Sequence, residues 1–84
     1  MRTMDGQQAK TRRRRQPHLE LMGLRINNGL SRDQLGARVG VSRETVRLAE
    51  AGFLPNPRVQ FALAREFGRN PLDLWPLDRQ RGGR

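Results

Sequence analysis

Helix stop and start signals follow one another so closely in this chain that no element longer than about ten residues fits between them. Asn28-Gly29 is followed by Ser31, Gly40 by Ser42, Gly52 by Asn56-Pro57, Gly68 by Asn70-Pro71, and Pro76 closes the series. Glycine accepts the left-handed backbone that ends a helix. Serine or asparagine then caps the next one, and proline is pre-shaped for a first helical position. Between the marks, apolar residues recur at helical spacing. Leu21, Leu24 and Arg25 share one face, Leu35 and Val39 another, and Val59, Ala62, Leu63 and Phe67 a third. No stretch alternates convincingly as a strand. The pattern predicts an all-α chain of five short helices with tight connections over residues 17–78.

Single marks sharpen the expectation. Pro17 is expected to open the first helix at its first position and Gly29 to close it. Ser31 with Gln34 three residues on reads as a capping box, each side chain satisfying the other residue's orphan N–H. Ser42 caps the third helix and Gly52 ends it. Asn56-Pro57 starts a fourth, and Asn70-Pro71 starts a last short turn through Trp75.

At 84 residues the chain has room for one small domain, which buries only about 60% of its unfolded surface. It holds no cysteine, so disulfides and cysteine-ligated zinc are excluded and helix packing must supply the stability. Seventeen basic residues against eight acidic ones give a formal charge of +9, and Lys10 is the only basic residue besides the arginines. The pI near 11.9 predicts attraction to a polyanion, either nucleic acid or an acidic membrane surface. The first residues have no apolar core of a secretory signal, and no apolar run reaches membrane-spanning length; a soluble cytoplasmic protein is expected.

Residues 1–16 are nearly free of apolar side chains and end in Arg12, Arg13, Arg14 and Arg15. Such a segment cannot bury enough surface to offset its ordering entropy. It reads as a flexible basic arm that makes non-specific contact along a DNA backbone or in the minor groove, set against a purely solubilising tail. Residues 79–84 read as a second basic tail.

The second and third helices are the informative pair. They span eight to nine residues each and are joined by a few residues around Gly40, which is a helix-turn-helix pattern. The major groove of B-DNA is about 12 Å wide and admits one α-helix, while the preceding helix braces across the backbone.

The stretch "GLSRDQLGARVGVSRETVRLAEAG" resembles the helix-turn-helix of the Xre-type regulators, which include the phage repressors and Cro. The matching residues are Gly29, Leu30, Ser31, Leu35, Gly40, Val41, Ser42, Val46, Glu50 and Gly52. The resemblance extends over about residues 17–76, and "NPLDLWP" is similar to the ending of small Ner-type phage regulators. It implies a compact lambda-repressor-like domain that binds double-stranded DNA in a sequence-specific way, as a bacterial or phage transcription regulator.

The resemblance also implies roles by position. Arg43, Glu44, Arg47 and Leu48 fall where the family reads base edges. Arginine suits the O6 and N7 of guanine, glutamate the N4 of cytosine, and leucine the methyl of thymine. Arg32, Ser42, Thr45, Asn56 and Arg58 fall where the family contacts phosphate, Arg58 at a position that enters the minor groove in some phage repressors. Arg25 and Glu50 match a structural ion pair between the first and third helices. Three positions depart from the family. Ala49 replaces a larger aliphatic, so the core there is expected either to be thin or to be filled by Phe53 and Leu54; Ala51 replaces a polar residue; and Gly36 replaces an alanine, at about 1 kcal/mol of helix propensity.

His18, the single histidine, reads as a surface or capping residue. Leu72, Leu74 and Trp75 read as core closure, with a dimer surface as the alternative. The carboxylates are scattered, and no nucleophile–base constellation or phosphate-cradling glycine loop stands out. No catalytic site, metal site or cofactor is expected. Dimers are the family habit, because two half-sites one helical turn apart double the readout; no coiled coil is visible, so pairing on DNA is the expectation. The alternatives are a protein-interaction adaptor of the same fold, antitoxin-like or docking on RNA polymerase, and a sequence-blind architectural DNA binder.

Overall fold

The computed structural model describes residues 16–77. The arm arginines Arg12 to Arg15 and the tail 79–84 lie outside the described residues. Five helices follow one another: α1 (Leu19–Asn27), α2 (Arg32–Val39), α3 (Arg43–Glu50), α4 (Pro57–Glu66) and α5 (Pro71–Leu74). No strand occurs among the described residues.

Local chemistry accounts for most of the boundaries. Ser31 Oγ accepts from the Gln34 N–H, and the Gln34 side chain accepts from the Ser31 N–H, closing the capping box of α2. Gly40 ends α2 at φ 77°, a left-handed conformation that a β-carbon would strain. Ser42 caps α3 through the Thr45 N–H and Asn56 caps α4 through the Val59 N–H. Asn70 and Asp73 form a second capping box at the start of α5. The start of α1 differs from expectation. Its cap is His18, whose Nδ1 accepts from the Leu21 N–H, so Pro17 stands outside the helix rather than at its first position.

The core draws on every helix: Leu21, Leu35, Val46, Ala49, Leu63, Ala64, Leu74 and Trp75 are buried. Ala49 packs there as a small residue. Phe53 and Leu54 stay 42% and 51% exposed and do not fill in for it, because the chain leaves the core once α3 ends. On α4 the buried positions are Gln60, Leu63 and Ala64, while Val59, Ala62 and Phe67 are half-buried. The polar member of that face is satisfied internally: Gln60 Nε2 donates to the Pro55 carbonyl at 2.7 Å. Leu74 and Trp75 close the end of the core, but Leu72 remains half exposed.

His18 is buried rather than on the surface. Its backbone N–H donates to the Glu50 carbonyl at 2.8 Å, and its Nε2 lies 2.8 Å from the Leu74 carbonyl. Because Nδ1 is an acceptor, Nε2 carries the proton and donates to Leu74. The ring also meets Trp75 edge to face, with centroids 5.3 Å apart. One residue, through its backbone and its ring, thus ties together the start of α1, the end of α3 and the end of α5. No helix among the described residues is long and apolar enough to cross a membrane.

Candidate nucleic-acid interface

The placement of α3 begins at the turn before it. A β-carbon at Gly36 would come within 2.6 Å of the Val41 carbonyl oxygen, so glycine is what lets the turn lie directly on α2. The Val41 N–H donates back to the Gly36 carbonyl at 2.9 Å and locks that approach. The departure at Gly36 is therefore a steric requirement of this turn as well as a loss of helix propensity.

The far end of α3 is held by charge. The Glu50 side chain is 1% exposed, and a carboxylate that deep requires partners. Arg25 on α1 donates through Nε to Oε2 at 2.6 Å and through Nη2 to Oε1 at 3.3 Å. The same guanidinium donates through Nη1 to the Leu30 carbonyl at 2.8 Å, which fixes the α1–α2 connection. Arg32, at the start of α2, donates through Nε to Oε1 at 3.0 Å. One carboxylate therefore gathers α1, α2 and the end of α3, and sets the tilt at which α3 presents its outer side. Arg32 falls at an expected phosphate position but commits its Nε to this cluster, with its side chain still 36% exposed. Sequence reasoning missed that link: the two residues lie eighteen positions apart and only the fold brings them together.

The outer side of α3 carries Arg43, Glu44 and Arg47, all exposed, with Leu48 half-buried beside them. Glu44 and Arg47 form a two-point pair: Nε donates to Oε1 at 2.9 Å and Nη2 to Oε2 at 2.6 Å. That hydrogen bond to Arg47 is the main reason the Glu44 carboxyl is held below its ordinary value, with the charges of Arg47 and Arg43 adding to it. The Arg47 guanidinium is raised for the same cause. Arg43 faces Asp33 of α2, its Nε 3.9 Å from Oδ1. Asp33 is a neighbour that the sequence reading did not single out.

Beside this row lies an open concavity lined by Arg25, Ser31, Arg32, Asp33 and Arg43. It joins the N-terminus of α2 to the first turn of α3, and helix N-termini offer N–H groups and a positive dipole end to anions. Ser42 Oγ sits 2.9 Å from Thr45 Oγ1 while accepting from the Thr45 N–H at 3.0 Å. Asn56 Oδ1 accepts from the Val59 N–H at 2.9 Å, and Arg58 follows it, exposed, in the first turn of α4. No group of three or more histidine, aspartate or glutamate side chains is placed to hold a metal ion among the described residues.

Comparison with the curated proteins and with the solved structures finds no match. A family profile described as helix-turn-helix matches residues 21–74, from the first buried leucine of α1 to the last of α5. The matched span holds the braced α2–α3 pair, the Glu50 cluster and the charged outer row, and the chain belongs to the Xre/Cro-like helix-turn-helix family of DNA-binding regulators.

Proposed function

We propose that this chain is a sequence-specific transcriptional repressor, of bacterial or phage type, that occupies an operator with α3 in the major groove. The observation that carries this reading is the division of α3. Its inner side is pinned by the core and by Glu50, while Arg43, Glu44 and Arg47 are left exposed in one row. In this reading Arg43, Glu44, Arg47 and Leu48 meet base edges. Ser42, Thr45, Asn56 and Arg58 meet phosphates, together with the guanidinium N–H groups of Arg32 other than Nε. Arg12 to Arg15 add contacts that are blind to sequence and sensitive to salt. Two copies pair on DNA, in the cytoplasm or nucleoid.

The test is selection of random duplex DNA by the purified full chain near physiological salt. An enriched inverted repeat with half-sites about 10 bp apart supports the reading. Arg43→Ala is then expected to weaken the selected site by about 1–3 kcal/mol and to relax preference at one base pair. Binding without enrichment that collapses as salt rises would instead identify a sequence-blind binder.

A further inference from the structure

Both arginines at the tip of the reading row stand next to carboxylates. Glu44 grips Arg47 at two points, and Asp33 draws Arg43 from the neighbouring helix. Acidic residues in a first turn favour the helix dipole, which accounts for their presence in a chain that meets no anion. On a surface that meets phosphates, the same charges oppose the approach. A chain of net charge +9 does not lack cations elsewhere, and the two carboxylates beside this row alter what its arginines can do.

We propose that Glu44 and Asp33 are specificity-determining residues that keep Arg47 and Arg43 from binding phosphate indiscriminately. The Glu44 carboxylate already holds the Nε and Nη2 groups that a phosphate would take from Arg47, so the pair must open before a phosphate can bind. The carboxylate opposes the uncharged edge of a guanine far less, so the paired guanidinium still exchanges into that contact. The row thus gains selectivity from repulsion as well as attraction. The pairing is also consistent with the lowered Glu44 carboxyl and the raised Arg47 guanidinium.

This inference rests on the proposed DNA-reading role of α3, and a double-mutant cycle tests it on the full chain. Wild type, Glu44→Gln, Arg47→Gln and the double variant are titrated with random-sequence duplex at several salt concentrations. With Glu44 present, Arg47→Gln is expected to weaken binding only about twofold, through the Glu44 charge that it leaves unpaired. In the Glu44→Gln background the same change is expected to weaken binding about fivefold, the scale of one exposed charge pair. The magnitude of the salt slope should rise by roughly 0.9 in Glu44→Gln and return in the double variant, as one phosphate contact is gained and lost. Equal effects of Arg47→Gln in both backgrounds would overturn the proposal for Glu44. The corresponding cycle on Asp33→Asn and Arg43→Gln should couple with the same sign, and no coupling there overturns the assignment of Asp33. A wild type that selects a sequence but shows no coupling leaves the repressor reading standing and removes this one. A wild type that binds no duplex at all removes both.

Discussion

Two glutamates on α3 have the same chemistry and opposite circumstances. Glu50 ends the helix with its side chain 1% exposed and takes N–H groups from two arginines on two other helices. Glu44 opens it with its side chain 61% exposed and takes one arginine from its own helix. Inside, a charge is tolerated only because the fold delivers partners to it, so the pairing is a statement about tertiary structure. Outside, water would solvate the charge without help, so the pairing says little about stability and much about the field the surface presents. The same helix is thus fixed at its inner end by one carboxylate and tuned along its outer row by another.

The contrast breaks most easily at its buried pole. Glu50→Ala leaves Arg25 charged and largely buried, and a loss of about 3–5 kcal/mol is expected. That is a large part of the stability of a small domain, and a urea unfolding midpoint measures it. Arg25→Met combined with Glu50→Leu removes both ends of the main pair and should lose less than Glu50→Ala alone. A double variant as damaged as the single one would mean that packing, rather than an orphaned charge, sets the loss.

An intermediate effect is expected where α3 leaves the turn. Gly36→Val places carbon atoms against the Val41 carbonyl, which a β-carbon alone would approach to 2.6 Å. Forcing the turn off α2 should destabilise by about 1–3 kcal/mol, the usual range for overpacking, read in the same unfolding experiment. DNA binding should fall further than stability alone explains, because the turn also sets where α3 stands. Unchanged stability would show that the contact between α2 and the turn yields readily.

The smallest effect belongs to the exposed pole. The Glu44 carboxyl is lowered in the folded chain, chiefly by its hydrogen bond to Arg47. A lowered carboxyl contributes stability above its unfolded value, and that contribution is lost as pH falls through the folded value. The stability gap between wild type and Glu44→Gln should therefore be small and constant near neutrality and close in acid. Thermal melts at descending pH check this, and a gap that widens in acid would contradict the pairing.

Local chemistry made much of this fold readable from sequence. The Ser31–Gln34 box, the caps at Ser42 and Asn56 and the left-handed end at Gly40 each involve residues within a few positions of one another. Contacts made by tertiary approach were not readable in the same way. His18 is buried because Leu74, fifty-six residues on, offers it a carbonyl, and no local signal marks that meeting. Arg32 turned to Glu50 for a similar reason. On α4 the buried face includes Gln60, since a polar residue can enter a core wherever a backbone carbonyl waits for it. Around the site, the exposed row was readable as a row. Its internal pairing was partly so: Glu44 and Arg47 are three residues apart on one helix, whereas Asp33 and Arg43 meet only across the turn.

The outward row of α3 makes little contribution to the core, which draws from that helix on Val46 and Ala49. Substitutions at Arg43, Glu44 and Arg47 therefore leave folding nearly untouched while altering what the helix reads under the proposed function. The exposed surface of α3 and the stability of the domain can thus drift independently over generations, and the outer row can change without first passing through a period of poor folding.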